Sequence, residues 1–307
     1  MLPKFDVLQP RSLAEACALL KEHAARGAVI LAGGTDLLVN LRLPVIPDHL
    51  PRGKNSRPLP KVYDRPPAWL IALSRLPELR GISETDDAIA IGAMTTLTDV
   101  ADSPLVREKL TALAEGAANL GSPLVRNRGT LGGNVCNARP AADTLVASVA
   151  LGARLELHSS RGVRTVPVEE FATAPGKTVI APDEILARIV YPIPAGKSGS
   201  AFYKLANRKA LEIAVVNVAS ALSRDSKGKI VQARIALGAV APTPILAKQA
   251  AQSLIGQKPS AGLFAKAGRI AATECQPITD HRGSAGYRSE MVEVVVRRTL
   301  ERSVTPE

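Results

Sequence analysis

The segment Gly121-Ser-Pro-Leu-Val-Arg-Asn-Arg-Gly129-Thr-Leu-Gly132-Gly133-Asn134-Val-Cys136-Asn137-Ala-Arg-Pro140-Ala-Ala-Asp143 carries four glycines and one late carboxylate between two helix-like runs. Glycine lets a backbone come close to a ligand and turn its N–H groups toward an anion, which suits a diphosphate better than a packed core. Two readings fit the segment taken by itself, a ligand loop and a long structural loop.

Working outward toward the N-terminus, residues 106–120 read as a helix that delivers the chain into this segment. Residues 88–93 alternate like a strand, and residues 94–100 enter a short helix that a threonine can cap. Further back, Ser12 caps an amphipathic helix over 12–26, with Leu13, Ala16, Cys17, Leu19 and Leu20 on its apolar face and Gly27 at its end. Residues 28–32 follow as a short apolar strand, Gly33-Gly34-Thr35-Asp36 as a turn, and residues 37–42 as a second helix. Strand, double glycine and helix start form an anion-binding arrangement, although a two-glycine turn alone is unspecific and is not the Gly-x-Gly-x-x-Gly fingerprint. Residues 43–67, with seven prolines and no period, read as an extended loop, and residues 68–73 as a strand.

Toward the C-terminus, residues 143–153 read as a helix, 154–168 as a hairpin turning at 159–162, and 185–191 as a strand. Ala195-Gly-Lys-Ser-Gly-Ser200 is the linker candidate. Beyond it come strand-like runs at 201–205, 213–223 and 229–240, then helices near 245–254, 262–275 and 287–302. Strands followed by helices indicate a separate α+β domain.

The 307 residues accommodate two domains or one large α/β unit, with 46% apolar and 3% aromatic residues, so the interior is built from Ala, Val, Leu and Ile. No apolar run approaches the ~20 residues that span a bilayer, and Met1-Leu-Pro-Lys-Phe5 lacks a signal-peptide core, so a cytoplasmic chain is expected. Cys17, Cys136 and Cys275 form no Cys-x-x-Cys pair, and the four histidines are scattered, so no metal site is expected. Cys136 reads as a small buried hydrophobe rather than a reactive thiol. The net charge of +11 is spread along the chain with few aromatics between, which argues for a solvated surface or a docking face for acidic subunits over nucleic acid.

Read together, Leu31-Ala-Gly-Gly-Thr-Asp-Leu-Leu38 and Gly121-Ser-Pro-x-x-Arg-Asn-x-Gly-Thr-Leu-Gly-Gly-Asn134 with Pro140-Ala-Ala-Asp143 resemble the FAD-binding medium subunit of the molybdenum hydroxylase family of xanthine and carbon monoxide dehydrogenases. Two motifs about ninety residues apart are far more specific than either alone. The resemblance extends to Ile91-Gly-Ala-Met-Thr-Thr96, Glu184-Ile-Leu186 and Tyr203-Lys204-Leu with Arg208-Lys209. It implies an α+β protein: a two-subdomain FAD domain of the vanillyl-alcohol-oxidase (PCMH) type over 1–194, divided near residue 60, a linker at 195–200, and a smaller domain with a three-stranded sheet over 201–307.

The resemblance also implies a cofactor site. Val29, Ile30, Leu31, Ala32, Gly33, Gly34, Thr35 and Asp36 would form one half of a diphosphate cradle, and Thr130, Leu131, Gly132, Gly133 and Asn134 the other, through backbone N–H groups. Gly121 would approach the cofactor, Asp143 would accept from ribityl or ribose hydroxyls, and Leu186 and Lys204 would contact nucleotide or ring. For Leu186 a core leucine and for Lys204 a surface lysine are the plain alternatives. Ile213 matches a position beside the ring that is tyrosine in some relatives, where an aliphatic side chain can neither stack nor donate. Arg126 and Arg128 orient the loop or meet a partner. No residue here is expected to be catalytic.

The implied function is electron transfer through FAD, from a [2Fe-2S] small subunit serving a molybdopterin-binding large subunit, to NAD, a quinone, ferredoxin or oxygen, within a dimer of heterotrimers. A stand-alone flavin reductase or oxidase and a basic scaffold without flavin are the alternatives. Cys136 is followed directly by Asn-Ala-Arg-Pro, so the cysteine-rich cluster insertion of one family branch is absent, and residues 43–67 are longer than the usual connection. Replacing Gly132 or Gly133 with a bulky residue is expected to release FAD while the C-terminal domain stays folded, as flavin absorbance and limited proteolysis will report.

Overall fold

A computed structural model describes residues 2–42, 67–193 and 196–304. The proline-rich loop expected over 43–67 lies outside the described residues apart from Pro67.

The chain begins with β1 (Asp6–Leu8), α1 (Leu13–His23), β2 (Val29–Leu31), α2 (Leu37–Arg42) and β3 (Trp69–Ala72). The Ser12 hydroxyl accepts from the Glu15 N–H at 3.1 Å, which satisfies one of the free donors at the start of α1. Ala16, Cys17 and Leu20, spaced for one helix face, are buried with Ile71 of β3. The three strands form a parallel sheet in the order β1-β3-β2. Its central strand is β3, so this sheet reaches past the boundary near residue 60.

Next come β4 (Ile82–Glu84), β5 (Ala88–Gly92) and α3 (Leu97–Asp102). The single helix read over 106–120 is two, α4 (Pro104–Lys109) and α5 (Thr111–Ala118), because Leu110 leaves the helical region at φ −129°. The 121–143 segment is likewise not one open loop. It contains α6 (Pro123–Arg126) and α7 (Leu131–Asn137) before α8 (Asp143–Ala150). Then β6 (Arg154–Ser159), β7 (Gly162–Pro167), the small ribbon of β8 (Ala172–Ala174) and β9 (Lys177–Thr178), and β10 (Ile185–Pro192) follow. The main sheet runs β4-β5-β10-β6-β7, and α5 and α8 bury Leu113, Ala117, Leu145 and Val149 in the same core as its Ile89, Leu155 and Ile189. Each such aliphatic side chain removed from water contributes about 1.5–3 kcal/mol.

The last part comprises β11 (Lys197–Leu205), β12 (Val216–Arg224), β13 (Ile230–Gly238), β14 (Ile245–Leu246), α9 (Lys248–Gln252), α10 (Ala261–Glu274) and α11 (Ala285–Val304). Lys197 already pairs with Arg224, so residues 197–200 of the expected linker are strand. Two-residue β14 joins the three long strands as a fourth and takes the start of the range read as a helix.

Strand side chains alternate between faces, and here both faces are covered. Val216, Val218, Leu222, Ile235 and Leu237 pack with Val292 and Val296 of α11. The other face meets α5 and α8 in three cross-strand rows: Ser200-Ala221-Arg234, Phe202-Ala219-Ala236 and Lys204-Asn217-Gly238. In the first row Ser200 Oγ accepts from the Ala112 N–H at 3.1 Å and Arg234 donates to the Val149 carbonyl at 2.9 Å. The middle row enters the main core. In the third, a Cβ on Gly238 would fall 2.5 Å from Val146 Cγ2 and 3.0 Å from the Pro140 carbonyl oxygen. Small residues in these rows let α8 lie close to the sheet. Gly238→Val forces that contact apart and is expected to cost about 1–3 kcal/mol of stability, seen as a lower urea midpoint; an unchanged midpoint would contradict the packing described.

Candidate functional site

The chain leaves the carboxyl end of β2 into Ala32-Gly33-Gly34-Thr35-Asp36. Gly34 has φ +77°, the left-handed region that favours glycine. Gly33 faces the second motif so closely that a Cβ there would lie 1.9 Å from the Arg128 carbonyl oxygen and 3.1 Å from Gly129 Cα. Asp36 accepts from the Asn40 amide at 2.7 Å, which holds the turn against α2. Among the described residues, the N–H groups of Gly33, Gly34, Thr35 and Asp36 have no acceptor. Successive free backbone donors on a tight turn are what an anion requires.

The second motif is built differently. Thr130 caps α7, its hydroxyl accepting from the Gly133 N–H at 3.1 Å. The Leu131 N–H donates to the Thr95 carbonyl at 3.0 Å, Gly132 to Ala93 at 2.9 Å and Asn134 to Thr130 at 3.0 Å. Of the five residues expected to cradle a diphosphate, Leu131, Gly132, Gly133 and Asn134 therefore already have their N–H groups bonded inside the protein, while the Thr130 N–H has no acceptor among the described residues. The glycines serve approach instead. A Cβ on Gly132 would fall 2.6 Å from Ala93 Cβ, and one on Gly133 2.7 Å from Thr130 Oγ1 and 3.9 Å from Ala32 Cβ. The motif is thus the backing against which the first loop is held.

Beyond α7, the Thr144 hydroxyl donates to Asn134 Oδ1 at 2.6 Å, tying this backing to the first turn of α8. Asp143 begins that helix, and its side chain is 4% exposed. Lys204 Nζ donates to Asp143 Oδ2 at 2.7 Å and to the Asn119 carbonyl at 3.2 Å, while Asn217 Nδ2 donates to Asp143 Oδ1 at 2.9 Å. Burial pushes the Asp143 carboxyl up, and Lys204 and Asn217 act against that push by favouring the anion. Each carboxylate oxygen keeps a lone pair for a hydroxyl donor.

Lys204 is therefore not a plain surface lysine, being 9% exposed at its side chain. It also lines an open cavity of about 530 Å³ together with Asn119, Tyr203, Arg208 and Lys209. Gly121, at φ +56°, accepts from the Leu211 N–H at 3.3 Å, which places the 206–213 loop against the start of the 121–143 segment. Ile213 on that loop is 53% exposed. Val29, Ile30 and Leu31 are half-buried in β2 and carry the chain to the glycine turn. Leu186 does not join them at the surface. Its side chain lies in the main core, the plain alternative for this residue, with Leu131 and Val135 in the same cluster, and the neighbouring Ala187 carbonyl accepts from the Ala93 N–H at 2.9 Å. Cys136 packs against the core, and burial pushes its thiol up to about 12.

Free donors at the first loop, a glycine approach with no room for a Cβ, and a buried carboxylate with spare lone pairs fit a dinucleotide with a diphosphate and sugar hydroxyls. Residues 53–194 match the family described as the FAD binding domain in molybdopterin dehydrogenase, and residues 201–303 the carbon monoxide dehydrogenase flavoprotein C-terminal domain. The chain is 34% identical over 298 residues to the carbon monoxide dehydrogenase medium chain of Hydrogenophaga pseudoflava, covering 97% of this chain and 96% of that one. The chain belongs to the FAD-binding subunits of the molybdopterin dehydrogenases. Within that family it is also 31% identical over 295 residues to the xanthine dehydrogenase FAD-binding subunit of Escherichia coli O157:H7, covering 95% of this chain and 94% of the relative. Its fold superposes on a chain of carbon monoxide dehydrogenase from Hydrogenophaga pseudoflava with a TM-score of 0.87 at 34% identity, covering 99% and 98% of the two chains. Quinoline 2-oxidoreductase from Pseudomonas putida 86 gives 0.86 at 30% identity with the same coverage.

Sequence reasoning missed the parts played by Ala93 and Asn217, and the manner in which Arg128, expected to orient the loop or meet a partner, takes part. Arg128 acts through its backbone carbonyl, which no side-chain pattern reveals. Ala93 receives Gly132 by virtue of being small. Asn217 sits in a strand of alternating apolar residues, where a lone amide was the available signal. Gly33→Val is expected to drive the two loops apart and abolish FAD retention with little change in Tm; a variant that purifies with full flavin would contradict the contact.

Proposed function

We propose that this chain is the FAD-carrying electron-transfer subunit of a heteromeric molybdenum hydroxylase, with a molybdopterin-binding large subunit and a [2Fe-2S] small subunit as partners in a cytoplasmic dimer of heterotrimers. The observation that carries the reading is the direct contact of Gly33 with the Arg128-Gly129 backbone, which joins two motifs distant in sequence and links them through Asn134 and Thr144 to Asp143. When bound, FAD would supply two-electron redox chemistry, and the residues around Gly33 to Asp36 and Asp143 would hold it.

The protein's own residues supply position and electrostatics. Gly33 to Asp36 offer N–H donors to the diphosphate, and the 130–134 segment holds that turn in place. Asp143, kept by Lys204 and Asn217, accepts from sugar hydroxyls. Gly121 would approach the cofactor and Ile213 would lie beside the ring, where its aliphatic side chain can neither stack nor donate. No side chain of this chain is needed as acid or base on the organic substrate. Likeness to a carbon monoxide dehydrogenase medium chain and a xanthine dehydrogenase FAD-binding subunit supports this division of labour.

Two preparations test the proposal. The chain produced alone is expected to bind FAD, shown by its absorbance, and to oxidise no organic substrate. A tagged chain recovered from its own host is expected to bring down two partners with iron and molybdenum. A colourless chain that takes up no FAD would remove the flavoprotein reading, and a flavin-loaded chain that turns over alone would favour a stand-alone reductase.

A further inference from the structure

Asn217 belongs to no recognised motif and is 0% exposed. Its amide nitrogen donates to Asp143 Oδ1 at 2.9 Å and to the Ala141 carbonyl at 3.3 Å, so two acceptors fix which end of the amide is which. The other end, Oδ1, has no partner among the described residues. An orphaned buried carbonyl oxygen costs stability, and an apolar side chain of the same size would avoid that cost. What the residue gives in return is its nitrogen.

The surroundings keep that nitrogen aimed. In its cross-strand row Asn217 lies between Lys204 and Gly238, and a Cβ on Gly238 would fall 2.1 Å from Asn217 Oδ1. The strand ends beside it are pinned by buried Arg288, which donates to the Val215 carbonyl at 3.0 Å and the Ala239 carbonyl at 2.8 Å and pairs with Asp280 at 2.7 Å. The Ala239 N–H in turn donates to the Pro140 carbonyl at 2.8 Å, three residues before Asp143. Lys204 and Asn217 therefore reach Asp143 from one rigid sheet face, each taking a different carboxylate oxygen.

We infer that Asn217 is a positioning residue for the flavin nucleotide: from the C-terminal sheet it sets the rotation of the Asp143 carboxylate, and so the lone pairs that Asp143 presents to the sugar hydroxyls of FAD. The inference rests on the proposed role of Asp143. It makes cofactor affinity depend on a residue of the second domain that does not itself touch the cofactor.

The test is a double-mutant cycle on the full-length chain, with FAD titrated into the deflavinated protein and the visible circular dichroism of the bound flavin recorded. Asn217→Leu is expected to weaken FAD binding by about tenfold, the scale of one hydrogen bond to a charged group, and to alter the flavin dichroism. In an Asp143→Asn background the same change should weaken binding no further. Asn217→Thr, which keeps a donor, should recover part of the affinity. If Asn217→Leu does not fold, Asn217→Ser carries the cycle. Unchanged FAD affinity in the Asn217 variant beside a large loss in Asp143→Asn would overturn the positioning role alone. An equal Asn217 loss with and without Asp143 would also overturn it. Wild-type affinity in Asp143→Asn would remove the reading of Asp143 and the inference with it.

Discussion

A carboxylate taken out of water must be paired or protonated, and Asp143 is paired from across the domain boundary. Lys204 and Asn217 come from neighbouring strands of the C-terminal sheet, while Asp143 starts the helix that the same sheet covers. Removing one partner of a buried pair leaves an uncompensated charge, typically worth about 3–5 kcal/mol. The seating of the second domain is therefore fixed by charge at one end of its inner face, by Phe202 in the middle, and by Arg234 on the Val149 carbonyl at the other. In the proposed function, domain packing and cofactor binding share Asp143.

The two glycine motifs divide the work at the other end of the site. Both are short of side chains, yet for different reasons. In the first the backbone N–H groups of Gly33 to Asp36 have no acceptor among the described residues. In the second the N–H groups of Leu131 to Asn134 are consumed by Thr95, Ala93 and Thr130, and glycine is required because Ala93 and Thr130 leave no space. A diphosphate can be held only by donors that folding has not used. Rigid backing and free donors are thus separated onto two segments that Gly33 brings into contact.

Much of this was legible in the sequence because local rules governed it. Ser12, Gly27 and Thr96 mark helix ends through caps and a left-handed glycine, and the alternation in β12 and β13 places both faces of a covered sheet. Other features depended on contacts that sequence does not encode locally. Leu110 breaks a helix that its composition favours, with Leu113 and Val106 both buried around the break. The glycines of the second motif look like donors until the Ala93 carbonyl is seen opposite Gly132. Leu186 shares a family motif and yet lies in the core, and Lys204 could be told from a surface lysine only once Asp143 was beside it.

Amide hydrogen exchange on the full-length chain, with and without FAD, tests most directly the division between free donors and rigid backing. The account predicts fast exchange at Gly33 to Asp36 in the flavin-free chain, strongly slowed by FAD, and slow exchange at Leu131 to Asn134 in both states. Protection gained by FAD at Leu131 to Asn134 with none at Gly33 to Asp36 would contradict it.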